Sequence, residues 1–213
     1  MSRAISNKNV LAAQFETAEF TGAYLASFGR PELRGAWIIW GGSGSGKTTF
    51  TLMLCKYLAG FRRVAYNSLE QGLSLSLQKA WERVNMAEAG SNIILLAKES
   101  LAELRARLSK RKSPEIIVID SLQYWHGFKW SDFTRLKDDY PDKLFIFISQ
   151  DKSGQPAGNL AQRVRYDSEI KIRVEGYKAF VTTRYEDQEN GEGGADFIIW
   201  EQGAAEYWAE QIK

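Results

Sequence analysis

Gly41-Gly42-Ser43-Gly44-Ser45-Gly46-Lys47-Thr48 is the stretch that decides the fold. It fits G-x-x-x-x-G-K-[ST] at every fixed position. It also stands in the context that makes the pattern meaningful, between an apolar, β-branched and aromatic run at 36–40 and a helical pattern at 48–58 closed by Gly60. Glycines let the backbone curl until successive N–H groups aim at one anion. The helix that follows points its partial positive end at the same place. The loop therefore reads as a cradle for a nucleoside triphosphate, with Gly41, Gly42, Ser43, Gly44, Ser45 and Gly46 wrapping the phosphates. Lys47 is expected to reach the β- and γ-phosphates, the Thr48 hydroxyl to ligate Mg²⁺, and Thr49 to face the α-phosphate side.

Phosphoryl transfer also requires an oriented metal and a placed nucleophile. Asp120 ends the apolar run IIVID, at the carboxyl edge where α/β sheets bind ligands, and is the natural second holder of Mg²⁺. Glu70, in VAYNSLEQG, follows another strand. On spacing alone it reads equally as a carboxylate that polarises water or as an ordinary first-turn helix carboxylate. Gln150 ends LFIFIS and reads either as a sensor of the γ-phosphate or as a polar strand end.

Working outward, strands are expected at 63–67, 92–96, 116–120 and 144–149, with helices near 74–84, 101–108 and 132–139. Ser100 and Glu103 form a capping box at the start of the second of these helices. A weakly helical stretch at 10–28 precedes them, ended by Gly29 and Pro31. From 169 onward the pattern turns to hairpins, with strands at 169–174, 178–185 and 196–200. The expected fold is α/β, three-layered, with a mostly parallel sheet and an antiparallel C-terminal extension. Three segments follow: an N-terminal helical segment at 1–32, a core at 33–202 and a short acidic tail at 203–213.

Composition narrows the classes. The 213 residues are one domain's worth, with a net charge of +2, one cysteine (Cys55) and one histidine (His126). No internal disulfide and no Cys/His zinc cluster is possible. No apolar run approaches the ~20 residues of a membrane helix, and the first ten residues lack an apolar signal core, so the expected location is the cytoplasm. The +2 conceals an asymmetry: residues 151–184 carry seven basic and four acidic side chains, residues 185–213 one basic and eight acidic. Such separation of sign accompanies partner surfaces or head-to-tail self-association, and equally a solvated acidic end.

Taken in order, the phosphate loop, VAYNSLEQG, NIILLAKESLAELRARL, EIIVIDSLQYW, ISQDKSGQPAGNLAQRVRYDSEIKI and VTTRY resemble the RecA-like P-loop ATPase core. The likeness is strongest to RadA/Sms proteins and extends more distantly to DnaB-type helicases and KaiC. It implies that strand 144–149 lies between the phosphate-loop strand and the Asp120 strand. It also implies that Glu70 is the catalytic carboxylate and Gln150 the sensor. ATP would then lie between subunits of a ring or filament, reached by Arg184 of a neighbour. Lys152 matches the lysine of the family's TKEG loop. Where the family has a lysine two residues before the arginine, this chain has Thr182, so any paired finger is reduced to one cation.

The loops that contact nucleic acid in the resembled family match 122–131 and 152–158 here. Aromatic rings interleaved with cations suit single-stranded DNA, which makes Trp125, Lys129 and Lys152 candidates. Large aromatics also serve as core. The basic run Arg105, Arg107, Lys110, Arg111, Lys112 precedes the Asp120 strand and reads as a solvated helix face at the far sheet edge. The leading expectation is an oligomeric, DNA-dependent ATPase of recombination, repair or replication. A nucleotide-dependent assembly switch with a protein partner and a small-molecule kinase are the alternatives.

Overall fold

A computed structural model describes residues 4–211; the outermost parts of the two terminal segments, 1–3 and 212–213, lie outside the described residues. The chain order is α1 (Asn7–Leu11), α2 (Gly22–Phe28), β1 (Gly35–Gly41), α3 (Lys47–Leu58), β2 (Val64–Ser68), α4 (Leu75–Arg83), β3 (Ile93–Leu96), α5 (Leu101–Leu108) and β4 (Ile116–Asp120). It continues with α6 (Trp130–Asp139), β5 (Leu144–Lys152), β6 (Gln155–Pro156), α7 (Asn159–Asp167), β7 (Ile170–Glu175), β8 (Lys178–Thr183), β9 (Phe197–Ile198) and α8 (Glu201–Gln211).

The sheet order is β3-β2-β4-β5-β1-β7-β8-β9. The first six are parallel, β8 and β9 add antiparallel pairs, and β6 folds back on β5. The 144–149 strand thus lies between β1 and β4, as expected. Apolar runs such as Trp37-Ile38-Ile39-Trp40 have no polar face because both faces are covered. Trp37 and Ile39 pack with Phe50, Leu54 and Tyr66 on one side, whereas Ile38 and Trp40 join Ile119, Phe133 and Phe147 on the other. These two cores, under α2–α4 and under α5–α7, make the three layers. Ser100 and Glu103 close the α5 capping box. Among the described residues no helix is long and apolar enough to cross a membrane.

Three segments differ from the sequence expectation. The stretch at 10–28 is not one helix: between α1 and α2 the chain runs without helix, tied by the Ala18 N–H to the Pro31 carbonyl at 2.8 Å. This extended path sinks Phe20 among Phe28, Tyr57 and Phe61, and that packing outweighs local propensity. The described part of the acidic end is helix α8 rather than a solvated tail. It docks because Tyr207 lies over Gly176 and the Trp208 indole N–H donates to the Gly176 carbonyl at 3.2 Å. Helix α7, which periodicity does not announce, buries only Ala161 and Val164.

Candidate nucleotide site

The phosphate loop joins the carboxyl end of β1 to the amino end of α3, as its sequence demands. Gly46 sits at φ +94°, a backbone conformation that a side chain disfavours. Gly41 lies so close to β7 that a Cβ would stand 2.3 Å from the Val174 carbonyl oxygen. The Ser45 hydroxyl closes the loop on the Gly42 carbonyl at 2.9 Å, and the Tyr177 N–H donates to the Ser45 carbonyl at 3.1 Å. The β7–β8 turn therefore braces the loop from behind.

A cavity of about 400 Å³ opens over this loop, lined by Gly42, Ser43, Gly44, Gly46, Lys47, Thr48 and Thr49 together with Glu70 and Asp120. Three separate strand ends, those of β1, β2 and β4, meet here. Glu70 is exposed and is held by its own N–H, which donates to the Asp120 carbonyl at 3.1 Å. The loop after β2 is thereby stitched to the end of β4.

Asp120 is buried and accepts a hydrogen bond from the Tyr66 hydroxyl, itself fully buried. Burial raises the Asp120 carboxyl above its usual range, opposed by the Tyr66 bond and by the charge of Lys47. Burial together with Asp120 also pushes the Tyr66 phenol well up, so it remains a donor. Two buried hydroxyls flank the carboxylate, Ser68 in register opposite it and Ser121 next in the chain, and neither Oγ has a protein partner among the described residues. A buried carboxylate with orphaned hydroxyls beside it fits a hydrated divalent cation.

Gln150 pairs in register with Gly41 but does not line the cavity. Its N–H donates to Gln123 Oε1 at 3.2 Å, while the Gln123 amide donates to Ser149 Oγ and to the Ala157 carbonyl, each at 2.9 Å. Arg184 is not in the cavity either. It pairs with Glu169 Oε2 at 2.8 Å, and the Glu169 N–H bonds Ala36 near the start of β1. Since the loop begins at the other end of that seven-residue strand, about 20 Å away at ~3.3 Å per residue, Arg184 cannot serve its own site. Its side chain is 56% exposed, free to meet another molecule.

The aromatic loop requires a correction. Trp125 is only 6% exposed and stacks on Phe128 (centroids 4.1 Å, 15°), which in turn tilts over Phe147 of the core. It offers no open ring face to a base, because three neighbouring aromatics bury more area together than any does alone. Lys129 and Lys152 are exposed, Lys129 at the start of α6 and Lys152 at the tip of the β5–β6 hairpin. Arg105 and Arg107 pair with Asp139 and Glu99, as expected of a solvated helix face.

Sequence reading missed several residues here. Tyr177, Gln71 and Arg83 also line the cavity, and Arg83 Nη1 lies 3.4 Å from Thr49 Oγ1. Tyr66 was legible only as an apolar strand position. Nothing local marks Arg83, whose placement depends on how the β2–β3 crossover packs α4 beside α3.

No protein-family model matches the chain, and no curated protein matches it. Solved structures do. The flagellar accessory protein FlaH from Methanocaldococcus jannaschii superposes with a TM-score of 0.55 at 16% identity, covering 78% of this chain and 84% of that one. The ATPase domain of a helicase gives 0.55 at 18%, covering 82% and 84%. The RadB recombinase gives 0.53 at 22%, covering 82% and 92%. With the loop, the sheet order and the C-terminal hairpins all in place, the fold of this chain is that of the RecA-like P-loop ATPases.

Proposed function

We propose that the chain binds ATP with Mg²⁺ and hydrolyses it, working as an assembly in which nucleotide lies between subunits. The observation that carries this is the meeting of Lys47, Thr48, Glu70 and Asp120 around one cavity from three strand ends. Mg²⁺, when bound, supplies neutralisation of charge between the β- and γ-phosphates. Thr48 and Asp120 hold it, with the Ser68 and Ser121 hydroxyls available to its water shell. The loop amides and Lys47 hold the phosphates in line. Glu70 takes a proton from the attacking water as its oxygen bonds the γ-phosphorus and the bond to the bridging oxygen of ADP breaks. Gln150 reports loss of the γ-phosphate to the loops that begin at Gln123 and Lys152.

The exposure of Arg184 away from its own cavity supports a role in trans, as a neighbour's cation on the transition-state charge. Coupling to single-stranded DNA, as in recombination, repair or replication, rests on the exposed Lys129 and Lys152. The burial of Trp125 favours a second reading, a nucleotide-dependent assembly switch acting on a protein partner. ATPase activity with and without single-stranded DNA, with mass measured in parallel, separates the two. Stimulation by DNA supports the first, ATP-dependent assembly indifferent to DNA supports the second, and no hydrolysis in any assembled form refutes both.

A further inference from the structure

Arg83 closes the last turn of α4, exposed, and its one side-chain hydrogen bond among the described residues is the 3.4 Å contact with the Thr49 hydroxyl. It lines the same cavity as Lys47 and Thr48. Successive residues of a helix turn by ~100°, so the Thr49 hydroxyl does not share the bearing of Thr48, which faces the metal between the β- and γ-phosphates. What lies beside Thr49 is the α-phosphate. A guanidinium at that hydroxyl, with no carboxylate bonded to it among the described residues, matches an anion's geometry and charge. We infer that Arg83 is a binding cation that grips the α-phosphate of the nucleotide held by its own subunit. This inference rests on the ATPase reading above.

It also divides the labour between two arginines. Where Thr182 leaves the in-trans finger with one cation, Arg83 adds a second positive charge in cis, at a phosphate that does not change in hydrolysis. A contact made equally in the ground and transition states lowers KM without raising kcat. Arg184 is the opposite case.

The test is calorimetric titration of wild type, Arg83→Ala and Arg83→Lys with Mg²⁺-ADP and with the non-hydrolysable Mg²⁺-AMPPNP, alongside steady-state ATPase kinetics. Arg83→Ala is expected to weaken both nucleotides by the same factor, about tenfold for loss of one charged hydrogen bond. Arg83→Lys should recover part of the loss, which falls on KM rather than kcat. Unchanged affinities overturn the inference. So does a loss confined to AMPPNP, which would place the contact at the γ-phosphate, or a fall in kcat with affinity retained. Wild-type protein that binds neither nucleotide refutes the ATPase reading and this inference with it.

Discussion

Replacing Trp125 separates a core role from a base-stacking role, because the two make opposite demands on stability. The indole is nearly sealed, stacked on Phe128 at 4.1 Å, and Phe128 continues the aromatic contact to Phe147 on β5. Truncation to alanine removes a buried ring and leaves a cavity that the rigid sheet cannot collapse around, for which large-to-small aromatic changes cost about 3–5 kcal/mol. In a chain of this length each kcal/mol moves the melting midpoint by about 2–4 °C, so Trp125→Ala should melt roughly 6–20 °C lower. Trp125→Phe is the sharper control. It keeps a ring against Phe128 and deletes only the indole N–H, which has no acceptor among the described residues. Its cost should stay below about 1.5 kcal/mol. Thermal unfolding by circular dichroism, without nucleotide or DNA, measures both. A melting point for Trp125→Ala within about 2 °C of wild type would refute the packing argument.

Other expectations follow from the site. Lys47→Ala should lose most affinity for Mg²⁺-ATP by titration, and unchanged affinity would remove the phosphate-loop assignment. Tyr66→Phe deletes the donor that orients buried Asp120; the Mg²⁺ concentration for half-maximal ATPase should rise severalfold, and an identical Mg²⁺ requirement would show that the bond does not position the carboxylate. Arg184→Ala mixed with wild type should depress activity more than dilution does, while a strictly proportional loss would argue against a role in trans. Gly176→Ala forces a Cβ to within 2.1 Å of the Tyr207 ring at φ +51°, so α8 should undock and exchange its amides faster; unaltered exchange would contradict the docking.

The core strands and the loop were legible because each states its physics locally. Gly41 to Thr48 allows one geometry, and IIVID and LFIFIS have no polar face because neither face meets water. Asp120 and Glu70 followed from the rule that ligands gather at strand carboxyl ends. What was illegible depended on distant partners. Phe20 pulls residues 12–21 out of helix only because Tyr57 and Phe61 wait for it, and α8 exists as a docked helix because Gly176 leaves room for Tyr207. Trp125 looked like a platform in a loop rich in aromatics and cations. Its burial was set by Phe147, more than twenty residues away. Arg83 entered the site through the packing of α4, a tertiary fact with no local pattern.

The central claim is that Glu70, brought beside Lys47 and Asp120 at the carboxyl edge of the sheet, activates the water that cleaves ATP. Glu70→Gln keeps the size and hydrogen-bonding reach of the side chain and removes its basicity. ATP affinity and steady-state hydrolysis measured on the same assembled preparation test the claim most directly. The expected result is ATP binding like wild type with turnover reduced about 10²–10⁴-fold, the scale of a lost general base. Turnover at the wild-type rate in Glu70→Gln would contradict it.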